Sequence, residues 1–532
     1  MWAEPVRRTR NFIQSPGWRG GKSPSWTRTS TQVAKLSQLI RRTLINFGGH
    51  RPTRALPSGD ARKTIDQVMT LLGPNGLPET GFGAPRALDR LAELTARFGL
   101  NLSSPTVAAH LQPPPLAVAV AADTLANITN ASVDTFDSGP SSIAVERWVI
   151  QALVKLAGLG EFGDGVMTPG GSISNLLGLL LARDRTASRL GRNASLDGVS
   201  VLRNPVVLCS AAAHFSVNRA CAALGLGENA VIPVPIGRDR RLDPERLHRL
   251  LRDLRDVSTP IAVVATAGTT DFGTVDPLRE VAEVARAHDV WLHADAAYGF
   301  GALFSDDLAE KLDGINEADS VTLDLHKLGW QPAATSVLLV SNVESFSALD
   351  RNVDYLNPSD DAAAGYDGLL GRSLQTTRRA DAIKVAATFL AFGRRGLGEL
   401  VDGCHRLAQH AELRIRAEAR LVLEAPAELT TVVFRYLGSG GSPLAADELN
   451  RLNCQIRRRL LENGEVLIGR TTLPDVIDEK RVCLKFTFVN PTATTADVDT
   501  IIEAVLQAGA HLERGEPSAR PNYFRPVEGK PS

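Results

Sequence analysis

Between about residues 146 and 345 the chain repeats short β-branched and aliphatic runs separated by helical stretches, and this alternation constrains its architecture more than any other feature. The runs are Val206-Val-Leu-Cys209, Ile261-Ala-Val-Val-Ala265, Val290-Trp-Leu-His293, Ser320-Val-Thr-Leu323 and Ser336-Val-Leu-Leu-Val340. Strands this apolar have two faces to bury. The pattern therefore predicts a large α/β domain, residues 146–395, with a mostly parallel sheet covered on both faces. Ahead of it, residues 60–145 read as helical, with apolar positions at Ile65, Val68, Met69 and Leu72, then Leu88, Leu91 and Leu94, and an apolar helix over Leu116–Ala131. Beyond it, a long helix from Ala382 leads into a smaller α+β domain, residues 396–514, with strands near Thr430–Tyr436 and Val482–Val489 and a closing helix over Ala496–Ala508. The Asp-, Ala- and Gly-rich segment 343–380 is expected to be a mobile connection, and the proline-rich residues 515–532 a disordered tail.

Lys+Arg and Asp+Glu both number 59, so net charge gives no sign of a nucleic-acid partner. The balance is uneven along the chain: residues 1–59 hold eleven Arg or Lys and one acid, Glu4. A basic, acid-poor segment of this kind is expected to be a dispensable, disordered extension, although a transit peptide or a nucleic-acid arm has the same composition. The five cysteines, Cys209, Cys221, Cys404, Cys454 and Cys483, are scattered without CxxC spacing, which fits neither a disulfide framework nor a zinc site. No apolar run reaches the roughly 20 residues that span a bilayer. Cytoplasmic residence, with no membrane and no metal, is the expectation.

Three motifs carry chemistry. Thr168-Pro-Gly-Gly-Ser172 precedes a helical face of Ile173, Leu176, Leu177, Leu180 and Leu181, so its glycines stand at a helix N-terminus. Unpaired N–H groups and the helix dipole favour a phosphate there; Gly171 admits close backbone approach and Ser172 adds a hydroxyl. Asp295 ends the strand of Trp291-Leu-His-Ala-Asp-Ala-Ala-Tyr-Gly299, where carboxylates of α/β enzymes face a crevice. Lys327, in Ser320-Val-Thr-Leu-Asp-Leu-His-Lys-Leu-Gly-Trp-Gln-Pro332, follows another apolar strand. A phosphate cradle, a carboxylate for a ring nitrogen and an amine for an aldehyde are what pyridoxal phosphate needs. His214, after the strand ending at Ser210, could stack on such a ring, and the Ala297 methyl could lie against it.

These motifs, with Ala265-Thr-Ala-Gly-Thr-Thr270 and Thr376-Thr-Arg-Arg379, resemble the group II pyridoxal-phosphate-dependent amino acid decarboxylases from about residue 105 to 510. The resemblance implies an aspartate-aminotransferase-like transferase of fold type I, a homodimer with its active site at the subunit interface, and an L-amino acid as substrate. It implies that Gly171, Ser172, Ser320, Asp324 and His326 contact the phosphate side, with Asp324 standing where some members have Asn. It assigns ring stacking to His214, ring contacts to Thr266 and Asp295, and the Schiff base to Lys327. Tyr355-Leu-Asn357, Ser373–Arg379 and Trp330-Gln-Pro332 look closest to the diaminobutyrate-type bacterial enzymes. A carbon–carbon lyase or an aldehyde-forming member is the alternative. Lys485 occupies a position where relatives commonly carry an arginine near the substrate carboxylate, and an exposed strand lysine is its plainer reading. Tyr366 lies in the loop that supplies a proton-donating tyrosine in many relatives, three positions early. Further substrate contacts are expected on His110-Leu-Gln-Pro-Pro114, on 355–372 and on the partner subunit.

Overall fold

The computed structural model describes residues 29–73, 76–351, 353, 355–438, 444–474 and 480–515. The described chain divides into two compact units. The first consists of α1 (Thr29–His50), α2 (Ala61–Leu72) and α3 (Ala84–Phe98). α1 corrects the expectation of a disordered extension for the part of 1–59 that it covers, residues 29–50. Leu36, Leu39, Ile40, Thr43 and Phe47 form a half-buried stripe at helical spacing, which the density of arginines had masked. Across from it, α3 buries Ala92, Leu94 and Ala96, and Asp89 accepts from Arg42 Nε at 3.0 Å. Residues 53–60 belong to the other unit: Ala55 is buried and Leu56 N–H donates to the Gly464 carbonyl at 2.9 Å. Residues 1–28 and 516–532 lie outside the described residues.

In chain order the second unit contains β1 (Val107–Ala108), α4 (Ala117–Thr129), α5 (Pro140–Ala157), β2 (Asp164–Thr168), α6 (Gly171–Arg189), α7 (Ala194–Asp197), β3 (Pro205–Ser210), α8 (Ser216–Ala223) and β4 (Val231–Val234). It continues with α9 (Pro244–Leu254), β5 (Thr259–Thr266), α10 (Leu278–Ala287), β6 (Trp291–Asp295), β7 (Ser320–Asp324), β8 (Ser336–Val340), α11 (Ser359–Ala363) and α12 (Ala382–Ala417). It closes with β9 (Leu421–Leu423), β10 (Thr431–Tyr436), α13 (Ala446–Asn463), β11 (Leu467–Pro474), β12 (Lys480–Thr487) and α14 (Thr495–Glu513).

Among the described residues the main sheet has seven strands in the order β2-β8-β7-β6-β5-β3-β4, all parallel except β8, which runs against both neighbours. β6, β7 and β8 are buried at every position, which is why they read as continuous apolar runs. β2 and β4 escaped the sequence pattern because each is interrupted. Gly165 in β2 stands where a Cβ would meet the Leu338 carbonyl oxygen at 2.6 Å, and Pro233 sits in β4, an edge strand where a missing N–H is tolerated. The smaller sheet, β1-β11-β12-β10-β9, packs against α12, α13 and α14 around Phe434 and Phe486, whose ring centroids lie 4.6 Å apart. α12 turns at Gly393, with φ 60°.

The parallel arrangement sets the carboxyl ends of β2, β3, β5, β6 and β7 along one edge of the sheet, and the loops leaving that edge carry the three motifs. The segment 343–380 is held firmly at its far end. Leu369 N–H donates to the Val133 carbonyl at 3.0 Å, and the buried Arg378 and Glu146 pair at 2.7 Å. Glu146 Oε1 also accepts from Met167 N–H at 3.2 Å, while Arg378 Nη1 reaches the Met167 carbonyl at 3.4 Å. One ion pair thus fixes both peptide groups of the residue before the glycine turn.

Burial raises the Glu146 pKa in spite of Arg378, so this pair is balanced between desolvation and attraction. Removing one member leaves an uncompensated buried charge. Arg378→Met is expected to cost about 3–5 kcal/mol in urea unfolding, and adding Glu146→Leu to recover part of that loss. A single mutant with wild-type stability would contradict this.

Candidate active site

Asp295 is buried at the carboxyl end of β6, beside Thr266 at the end of β5. Its Oδ2 accepts from Asn175 Nδ2 at 2.8 Å and its Oδ1 from the Ala297 N–H at 3.2 Å. Asn175 comes from the first turns of α6, four residues after Gly171, so the helix that presents the glycine turn also steadies this carboxylate. The other N–H of Asn175 Nδ2 donates to Ser216 Oγ at 2.9 Å, and Ser216 in turn bonds His214 Nδ1 at 2.9 Å. Burial lowers the His214 pKa, with Asp295 opposing and Lys327 assisting that shift, so His214, Asp295 and Lys327 share one electrostatic neighbourhood.

At the end of the neighbouring β7, the buried Asp324 receives the Lys327 ammonium at 3.0 Å, with His326 Nε2 at 3.7 Å and the Ser336 hydroxyl donating to Oδ1. His326 Nδ1 lies 3.0 Å from the Thr335 carbonyl. The turn after Lys327 is pinned by Trp330, fully buried, whose indole N–H reaches the Val489 carbonyl at 2.9 Å. Gly171 opens α6 after Gly170, whose φ is 114°. A Cβ on Gly171 would sit 2.8 Å from Asp324 Oδ1, so glycine is required here by the carboxylate beneath it as much as by a ligand above. Ser172 is exposed at this turn and Ala297 is half-buried at the other side of the crevice.

Ser320 is corrected by its position. It is the first residue of β7, at the opposite end of the strand from Asp324, fully buried, and its hydroxyl is engaged by Trp291 Nε1 at 2.8 Å and His293 Nδ1 at 2.7 Å. It is a buried strut and not a phosphate-side group. Lys485 is buried on β12 and not an exposed strand lysine: its Nζ pairs with Asp271 Oδ1 at 3.0 Å and donates to the Thr270 carbonyl at 3.2 Å. It lines a cavity of about 320 Å³ with His110, Arg457 and Arg470. Tyr366 is 57% exposed and its ring meets Phe136 at 5.4 Å; within this chain it is not brought to the crevice.

Asn175, Ser216 and Glu146 were missed by sequence reasoning. A signal existed for Asn175, a polar side chain inside an otherwise apolar helix, because such a group has to find partners when buried.

Pyridoxal phosphate fits this donor set. The buried Thr266 hydroxyl, next to Asp295, has no hydrogen-bond partner among the described residues. A buried hydroxyl without a partner is costly, and the hydroxyl carried on the cofactor ring would supply one. Lys327 would offer the amine, Asp295 the carboxylate for a protonated ring nitrogen, and the first turn of α6 the phosphate cradle. Among the described residues there is no group of three potential metal ligands and no helix long and apolar enough to cross a membrane.

A parallel sheet with these groups at its carboxyl edge defines a pyridoxal-phosphate enzyme. The sequence model of the pyridoxal-dependent decarboxylase conserved domain matches residues 92–437. The chain is 38% identical to an L-2,4-diaminobutyrate decarboxylase of Rhizobium meliloti over 460 residues, 86% of this chain and 88% of that protein. It is 31% identical to the Acinetobacter baumannii enzyme of the same name, over 84% of this chain and 88% of that protein. Among solved structures it resembles the glutamate decarboxylase domain of diaminobutyrate-pyruvate transaminase and L-2,4-diaminobutyrate decarboxylase from Vibrio parahaemolyticus. That likeness has a TM-score of 0.80 at 28% identity and covers 91% of this chain and 97% of that one. The protein belongs to the pyridoxal-dependent decarboxylase family. It is a pyridoxal-phosphate-dependent amino acid decarboxylase.

Burial depresses the His293 pKa from 6.5 to about 4. The folded protein therefore keeps this ring neutral where the unfolded chain protonates it. Its contribution to stability is complete above about pH 6.5 and is lost as pH falls toward about 4. Urea unfolding at pH 7, 5.5 and 4.5 is expected to show this acid limb, flattened in His293→Asn. An equal slope in both proteins would contradict the buried neutral ring.

Proposed function

We propose that this decarboxylase acts on L-2,4-diaminobutyrate or a close diamino acid, as a cytoplasmic homodimer. The identity to two diaminobutyrate decarboxylases over most of their length supports the substrate. The convergence of Lys327, Asp295 and the unpartnered Thr266 hydroxyl at one sheet edge carries the assignment of the site.

Pyridoxal phosphate, when bound, supplies an electron sink for the pair left behind as carbon dioxide departs. The roles of the chain's own residues follow from their chemistry. Lys327 would be the amine that holds the cofactor aldehyde, and to do so it would give up its ion pair with Asp324. Asp295, an anion held by Asn175 and the Ala297 N–H, keeps the ring nitrogen protonated. His214 and Ala297 would flank the ring, and Thr266 would donate to or accept from the hydroxyl that the ring carries. The α6 N-terminus with Gly171 and Ser172 would take the phosphate, with His326 on the same side. Asp324 is not a phosphate ligand on charge grounds; it is the counter-ion of Lys327 while that amine is free. The Lys485 ammonium, with Arg457 on the same cavity, would offer positive charge to the substrate carboxylate once Asp271 yields it, as a point charge without the arginine fork.

Several exposed apolar side chains support a second copy as partner. In the first unit Ile65 is 60% and Leu77 97% exposed, and α2 buries no residue. The exposed Tyr366 reaches a crevice only if the loop serves the partner subunit. The cysteines are all free, as in a reducing compartment.

Lys327→Ala is expected to remove turnover while leaving circular dichroism and dimer mass unchanged; near-normal turnover would overturn the site. Release of labelled carbon dioxide from L-2,4-diaminobutyrate is expected to exceed that from glutamate and aromatic amino acids by at least about tenfold in kcat/KM, a modest specificity margin. A preference for glutamate would overturn the substrate. Tyr366→Phe is expected still to release carbon dioxide with a lower amine yield. An unchanged yield would exclude Tyr366 as the proton donor.

A further inference from the structure

We propose that Trp291, Ser320, His293 and Asn175 are positioning residues, a one-directional hydrogen-bond chain that orients the Asp295 carboxylate and fixes which nitrogen of His214 carries its proton. The proposal rests on the reading that Asp295 holds the cofactor ring.

The direction of the chain is set independently from its two ends. At one end the Trp291 indole N–H can only donate, and it donates to Ser320 Oγ at 2.8 Å. The Ser320 hydroxyl proton is then directed to His293 Nδ1 at 2.7 Å, which has to be bare to receive it. At the other end an ionised Asp295 can only accept, so Asn175 turns its NH2 group toward Oδ2 at 2.8 Å. Its carbonyl Oδ1 therefore faces His293 Nε2 at 3.0 Å and requires a proton there. Both ends give the same ring: neutral, bare at Nδ1, protonated at Nε2. Thr322 Oγ1, 3.4 Å from Nε2, adds a second weak acceptor on the same side.

The branch through Ser216 follows the same logic. Having accepted from Asn175 at 2.9 Å, the Ser216 hydroxyl donates to His214 Nδ1 at 2.9 Å, and the Ser216 backbone N–H approaches that nitrogen at 3.3 Å. Two donors on one nitrogen leave the His214 proton on Nε2. His214 thus offers an N–H and not a bare nitrogen from its other edge, which suits donation to a bound group and excludes that edge as a base.

The chain is protected from water, which would supply competing donors and acceptors. Trp291, Ser320, His293, Asn175 and Ser216 are all no more than 2% exposed. α6 makes room for the imidazole at Gly178, where a Cβ would meet His293 Cε1 at 2.7 Å. A chain so buried polarises each successive bond in the same sense, strengthening the last bond, to Asp295.

Histidine selectively labelled with 15N in the full chain without cofactor reports the tautomers directly. At pH 7 His293 and His214 are expected to be neutral and protonated at Nε2; a wild-type His293 protonated at Nδ1 overturns the proposal without any variant. Ser320→Ala removes one hydroxyl at the far end of β7. It is expected to give His293 a mixed tautomer population and to weaken pyridoxal phosphate binding about tenfold, the scale of one hydrogen bond, with Ser320→Thr restoring both. A folded Ser320→Ala protein with the wild-type tautomer and unchanged cofactor affinity overturns the proposal. Asp295→Asn separates the two readings. If it binds cofactor as wild type does, the Asp295 reading fails; if it loses cofactor while Ser320→Ala does not, the positioning chain fails.

Discussion

A carboxylate buried at the end of a central strand is unstable unless donors and a cation surround it, and Asp295 imposes that requirement on this fold. Donors come from two sides: the Ala297 N–H turns back on Oδ1, and Asn175 reaches Oδ2 from α6. Because Asn175 is on the helix that follows the glycine turn, satisfying Asp295 fixes the rotation of α6 and hence where its N-terminus points. The carboxylate and the N-terminus of α6 are therefore not independent features. A change in the angle of α6 disturbs both.

The same rule of paired burial recurs around the crevice. Asp324 holds Lys327 and Ser336 directly beneath Gly171, Glu146 holds Arg378 behind the turn, and Asp271 holds Lys485 on the smaller sheet. The pairs differ in what they can do. Arg378 and Glu146 are enclosed and tie the segment after 343 to β2, so they act as a fixed joint. Lys327 is partly open, and its pair with Asp324 spans only three residues, so the ammonium can leave without displacing the backbone. An enclosed pair beside a releasable one is what a site needs if its frame has to stay still while one amine changes partners.

Much of this was legible in the residues because the relevant signals are local. Five apolar runs gave five strands, and the Gly-Gly turn before an apolar face gave the start of α6. What could not be read depended on contacts distant in sequence. β2 and β4 were hidden by Gly165 and Pro233, whose edge positions are known only once the strand order is fixed. Charge composition concealed α1, since its apolar stripe is narrow and its arginines dominate the count. Ser320 shares a segment with Lys327, yet a strand of five residues puts it at the opposite end of β7, buried under an indole. Asn175 and Asp295 are 120 positions apart, and nothing local reports that they meet.

We propose that one sheet edge gathers the cofactor on Lys327. The most direct test is borohydride reduction of the protein loaded with pyridoxal phosphate, followed by peptide mass mapping of the modified lysine. The phosphopyridoxyl mass is expected on Lys327 alone, at close to one per chain. The same mass on Lys485 or a surface lysine, with Lys327 unmodified, would contradict it.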